Sequence, residues 1–184
     1  MSNLSMQGGA TGSGTVTLLA PVTNTTRTIN LPDSNGTVLT TATAGVPVNG
    51  PAFSAYQSSA QTLSSATWTK LQFQTEEFDT NNNFDSTTNY RFTPTISGYY
   101  QINAAILPST TTTNTACSIY KNGTAYKTVV IPATNSSAVV SSVVYFNGST
   151  DYVEIYGFLT GATPVIQNGS AFTWLSGALV RSAT

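Results

Sequence analysis

Glu76, Glu77, Asp79 and Asp85 gather in one short stretch, the densest run of acids in the chain. Hydrolysis of a glycosidic bond needs two carboxylates facing each other across a sugar-binding cleft. Here the four surround a single Asn-rich loop, and no second group of acids and aromatics completes a cleft. Asp79-x-Asn81-x-Asn83 copies the first half of a calcium-binding EF-hand loop. The copy fails where that loop needs Gly, which is Phe84, and where it needs its closing Glu, which is Tyr90. A calcium site of another kind would rest on Asp79 or Asp85. The competing role is a turn in which both side chains accept backbone N–H groups.

Other routes to catalysis close quickly. The chain has no His, which removes the commonest general base and metal ligand. Its single Cys117 has no His partner, so neither a thiol nor a hydroxyl nucleophile has the usual base. Zinc lacks a ligand set for the same reason. No Gly-rich loop opens a helix, so nucleotide binding is not indicated. The sequence therefore predicts a protein that is not an enzyme and carries no cofactor.

A chain of 184 residues can form one core and an appended segment. Charged residues make up 7 % of it, against a usual value of about 25 %. Low charge with few apolar residues would suggest disorder, but 40 % of residues are hydrophobic and 10 % aromatic, enough to bury a core. Polarity comes from Thr, Ser and Asn, a neutral surface with little Coulomb energy for salt to screen. A net charge of −1, with the 6 Lys and Arg scattered from Arg27 to Arg181, argues against binding nucleic acid. No apolar run reaches the roughly 18 residues of a membrane span, and no signal-peptide pattern opens the chain. Cys117 sits in an apolar alternation and reads as a small core residue.

Two regions are expected: 1–50, an N-terminal arm with linker, and 51–184, a head. Residues 1–14 are small, polar and Gly-rich. From Thr15 to Thr43 short strands and turns follow, with Val16 and Leu18 on one face and Ile29 and Leu31 on another. This stretch has too few large apolar residues for its own core. Leu18, Leu19, Ile29, Leu31 and Val38 are accordingly its candidate attachment residues. Ala44 to Pro51, rich in Gly and Pro, reads as the linker.

From Ala52 onward the pattern is all strand. Strands are expected near Phe53–Tyr56, Thr67–Phe73, Tyr90–Phe92, Tyr99–Leu107, Ala116–Tyr120, Ala125–Ile131, Ala138–Phe146, Tyr152–Phe158 and Phe172–Val180. Asn81-Asn82-Asn83, Asn122-Gly123, Asn147-Gly148 and Asn168-Gly169 mark turns between them, which predicts a sandwich or barrel. Thr110–Thr113 reads as a solvated loop tip. Tyr100, Ile102, Ala104 and Ile106 fall on one face of their strand and suit an interior. Tyr99, Gln101, Asn103 and Ala105 fall on the other, an odd set for solvent and a plausible one for a subunit interface.

The series Phe53-Ser54-Ala55, Trp68, Phe78-Asp79-Thr80, Phe92-Thr93-Pro94, Gly98-Tyr99-Tyr100, Tyr120-Lys121-Asn122-Gly123, Asp151-Tyr152-Val153 and Leu175-Ser176-Gly177 resembles the globular head of complement component 1q and its tumour-necrosis-factor (TNF)-like relatives. The resemblance covers about two-thirds of the chain and lacks the collagenous stalk of the complement proteins. It implies an all-β jelly-roll sandwich that works as a homotrimer. It would turn Tyr99, Gln101, Asn103, Val140, Ser142 and Trp174 towards the threefold axis, with a place in the sandwich core as the other reading of Trp174. The phrases Leu19-Ala20-Pro21, Thr28-Ile29-Asn30-Leu31-Pro32 and Asn35-Gly36-Thr37-Val38-Leu39 resemble a segment of bacteriophage tail-fibre and virion-surface proteins.

Together these imply a structural protein on the outer surface of a phage particle, made in the host cytoplasm and gripping the major capsid protein or another virion protein. About 50 residues before the head span at most ~165 Å when extended, enough for an arm and short for a fibre. The alternative is the receptor-binding head of a short tail fibre that meets a host-surface glycan or protein. Exposed aromatics such as Tyr126 or Phe84 are its candidates for stacking on sugar.

Overall fold

Alternation on one strand orients the whole sandwich. In the computed structural model, which describes residues 50–183, strand β7 (Gly98–Ile106) buries Tyr100, Ile102, Ala104 and Ile106 completely. Tyr99, Gln101 and Asn103 point the other way, as a period of two requires. Beside β7 lie β10 (Ala138–Phe146) and β13 (Trp174–Ser182), then β1 (Ala52–Tyr56) and β4 (Thr75–Asp79). The sheet order is β10-β7-β13-β1-β4, and every neighbouring pair is antiparallel.

The second sheet has the order β5-β6-β11-β8-β9. Its strands are β5 (Phe84–Asp85), β6 (Arg91–Phe92), β8 (Asn114–Lys121), β9 (Thr124–Ile131) and β11 (Val153–Thr160). The short β3 (Thr69–Lys70) also pairs with β11. A small pair, β2 (Gln61–Thr62) and β12 (Val165–Ile166), stands apart from both sheets. Sequentially distant strands lie side by side, as in Greek-key topologies that build jelly rolls.

The inner faces meet over an aromatic column. Phe53 stacks between Phe84 at 5.1 Å and Phe92 at 4.2 Å. Phe146 meets Phe92 and Tyr100 edge-on at 5.9 and 5.2 Å. Tyr100 satisfies its hydroxyl by donating to the Ile96 carbonyl at 2.7 Å, and burial pushes its pKa up to about 12. Gly177 admits no side chain here. A Cβ would come within 2.7 Å of Ile102 Cδ1 and 2.8 Å of Phe53 Cε1. Cys117 is fully buried in this core, as the apolar alternation predicts.

The expected Asn-Gly turns carry the backbone that such pairs favour. Asn122 and Gly123 both have positive φ, 51° and 78°, joining β8 to β9. Asn147 closes the next turn by accepting the N–H groups of Ser149, Thr150 and Asp151. One loop differs from expectation. Thr112 is buried within the predicted solvated run of Thr110–Thr113; its N–H donates to Asn135 Oδ1 at 2.9 Å and its hydroxyl lies 3.5 Å from that of Thr115. Asn135 and Thr115, from neighbouring segments, supply partners that the run of threonines does not advertise.

Candidate functional site

The outer face of the first sheet exposes a group of large apolar side chains. Val139, Val143 and Tyr145 of β10 are 54 %, 48 % and 42 % exposed, and Tyr99 of β7 is 44 % exposed. Tyr99 and Tyr145 sit opposite each other in register, with ring centroids 5.4 Å apart. Trp174 of β13 stands opposite Ala105 on the same outward side and is half-buried. On the far strand, Phe78 is 51 % exposed.

At the centre of this face, three polar side chains bond to one another. Gln101 Nε2 donates to Ser141 Oγ at 2.7 Å and to Asn103 Oδ1 at 3.0 Å, while the Ser141 hydroxyl donates to Asn103 Oδ1 at 2.8 Å. The Gln101 side-chain oxygen and the Asn103 side-chain N–H groups have no partner among the described residues, so this centre still offers an acceptor and two donors to whatever covers it. A shallow groove of about 220 Å³ runs beside it, lined by Phe78, Gln101, Asn103, Ser176, Gly177 and Ala178. An apolar face around a small uncharged polar centre is suited to contact with protein rather than to bond making or breaking.

Of the residues expected here, Tyr99, Gln101, Asn103 and Trp174 share this outer face. Val140 and Ser142 do not. Val140 pairs with Ala104 and Ser142 with Ile102, so both belong to the core-facing side of β10, and Val140 is buried. The outward residues are Val139, Ser141, Val143 and Tyr145. Both parities of β10 carry Val and Ser, so hydrophobicity alone does not fix which side turns inward; the aromatic pair Tyr145 and Phe146 is the better signal. Phe78, part of the series that carries the resemblance, was not expected on this face, because the acids around it in Thr-Glu-Glu-Phe-Asp mask its outward apolar role.

The acidic loop is committed to its own backbone. Asp79 accepts the N–H groups of Asn81 at 3.2 Å and Phe84 at 2.6 Å. Asp85 accepts those of Thr88, Thr87 and Asn89, and also the Asn89 side-chain amide. The Thr88 bond leads in holding its carboxyl far below the usual aspartate range, with the Thr87 and Asn89 bonds adding to it against the opposing effect of burial. Ser86 and Ser54 donate to Glu76 and Glu77 at 2.6 and 2.7 Å. Among the described residues, no three of His, Cys, Asp and Glu group closely enough to hold a metal. Phe84, a candidate for stacking on sugar, is instead part of the core column, whereas Tyr126 is exposed. Leu18, Leu19, Ile29, Leu31 and Val38, the candidate attachment residues, lie outside the described residues.

No family model matches the chain, and no curated protein matches it. Solved structures do. Murine APRIL superposes with a TM-score of 0.57 at 10 % identity, covering 71 % of this chain and 99 % of its own. Eiger TNF from S. frugiperda gives 0.56 at 8 % identity, covering 73 % and 95 %. The PRD1 vertex protein P5 gives 0.54 at 17 % identity, covering 71 % and 97 %. At these identities the likeness carries the fold. The sandwich is a TNF-like jelly roll.

Proposed function

We propose that this chain is a non-enzymatic structural protein of a bacteriophage particle, a homotrimer that decorates the outer capsid surface and holds neighbouring coat subunits together. The observation that carries this reading is the apolar outer face of the first sheet, on a jelly roll similar to that of the PRD1 vertex protein. Three heads would pack these faces about a threefold axis. Tyr99, Val139, Val143, Tyr145 and Trp174 would lose their water, and the Gln101–Asn103–Ser141 network would sit at the join. Each large apolar side chain fully buried in this way contributes about 1.5–3 kcal/mol.

The virus-like phrases near Leu19 and Val38 support an arm that grips the coat. Three arms on one trimer act at high effective concentration, so modest contacts to the major capsid protein would add up to firm attachment. Immunogold labelling of particles with an antibody against the head tests location. Gold over the capsid supports decoration, and gold confined to the tail end makes this the receptor-binding head of a short fibre. Light scattering of the full chain should return three times 19.3 kDa. A monomer would remove the trimer from the reading.

A further inference from the structure

The second sheet turns a chemically different face outward. On β11 the residues alternating with the core are Glu154, Tyr156 and Phe158, and on β8 they include Ser118 and Tyr120. Their rings form a continuous strip. Tyr120 stacks on Tyr156 with centroids 3.9 Å apart and planes at 21°. Trp68, just before β3, lies 6.4 Å from Tyr120 and 5.4 Å from Phe158. It is 36 % exposed.

A charged group adjoins the strip. The Glu154 side chain is 4 % exposed, and its Oε1 accepts from Lys70 Nζ at 3.3 Å and Arg91 Nη2 at 2.9 Å. The Arg91 guanidinium lies 4.0 Å over the Tyr152 ring, and its Nε is buried without a hydrogen-bond partner. Two cations share one carboxylate, which leaves the group at +1 on a chain whose net charge is −1. Glu154 thus fixes both basic side chains in place without neutralising both, and a site held this way loses less entropy on binding.

Rings beside a surplus cation define a ligand. Aromatic faces pack against the apolar C–H faces of pyranose rings, and their rim hydroxyls can exchange hydrogen bonds with sugar hydroxyls. Arg and Lys recognise a carboxylate, Arg with two parallel donors. Another copy of this chain fits poorly here, because subunit cores are depleted of charge and the apolar face suited to self-association lies on the opposite sheet. We propose that the outer face of the second sheet binds an acidic oligosaccharide, with sugar rings lying on Trp68 and its neighbouring rings and a sugar-acid carboxylate meeting Arg91 and Lys70. The site stands on these residues and does not depend on where on a particle the head sits.

The test uses the full chain on an array of oligosaccharides containing glucuronic, galacturonic or neuraminic acid beside their neutral counterparts. Carboxylate-bearing members should bind, and Trp68→Ala or Arg91→Gln should each weaken binding by roughly tenfold or more. Lys70→Gln serves if Arg91→Gln does not fold, as judged by circular dichroism. In a Trp174→Phe background, the bound acidic member should quench the remaining Trp68 emission. The proposal is overturned if no acidic member binds, if neutral members bind as well, or if binding survives both substitutions. It is also overturned if Trp68→Ala changes the mass in solution, which would make this face a contact between copies.

Discussion

The two sheets share one core and differ in what they show outside. On the first, Val139, Val143 and Tyr145 surround three uncharged polar side chains that bond to one another. On the second, a strip of rings adjoins an acid with two bases. A surface whose large exposed side chains are apolar gains by losing water and favours lasting contact. A surface with a spare cation and exposed rings keeps donors free for a soluble, exchangeable ligand. On the proposed reading, the contrast separates assembly from recognition by placing them on opposite sides of one sandwich.

The sharpest way to break the contrast is a charge on the first face. Val143→Asp should abolish the trimer, because three carboxylates would be brought together without partners; the readout is mass by light scattering. Trp174→Ala should yield monomeric or insoluble protein, and a soluble, unaltered trimer would take Trp174 out of the interface. Gly177→Ala should cost about 2–3 kcal/mol in thermal unfolding, since its Cβ meets Ile102 and Phe53 at under 3 Å and the core beneath the first sheet must shift.

Glu154→Gln probes the second sheet alone. Losing a charged acceptor shared by Lys70 and Arg91 should destabilise the fold by about 1.5–2 kcal/mol while the trimer mass stays unchanged. Acid has the smallest effect. Asp85 is held ionised by the Thr88, Thr87 and Asn89 N–H groups, and Asp151 is lowered by Asn122 and Lys121 although burial opposes it. A depressed carboxyl contributes fully above its ordinary value of 3.8 and loses that contribution as pH falls through the folded value. The melting temperature should therefore be level above pH ~5 and decline below ~4, less steeply in Asp85→Asn. Both acids belong to the second sheet and its turns, so the decline should begin before the trimer dissociates.

How far the sequence could be read follows the same physical lines. Tyr100, Ile102, Ala104 and Ile106 alternate strictly with polar neighbours, so both faces of β7 were legible. On β10 both parities are apolar, and only pairing with β7 decides that Val140 turns inward. Strands such as β5 and β12 hold two residues each, too few for any period, and exist because long neighbours offer backbone partners. A sandwich or barrel was legible in the short strands and Asn-Gly turns, and the jelly roll in the resemblance to the complement 1q head. The second face was not, because Trp68, Lys70, Arg91 and Glu154 are distant in sequence and become one group only when β3, β6 and β11 lie side by side.

The one thiol carries a further consequence. Cys117 is the only cysteine of the chain, it is sealed in the core, and burial pushes its pKa up to about 12. Thiol exchange and oxidation proceed through an accessible thiolate, and this residue offers neither access nor charge. The fold is therefore redox-blind. Passage from reducing to oxidising surroundings makes and breaks no covalent bond in it, and a cysteine engineered at exposed Thr124 would be the single handle a maleimide dye could find.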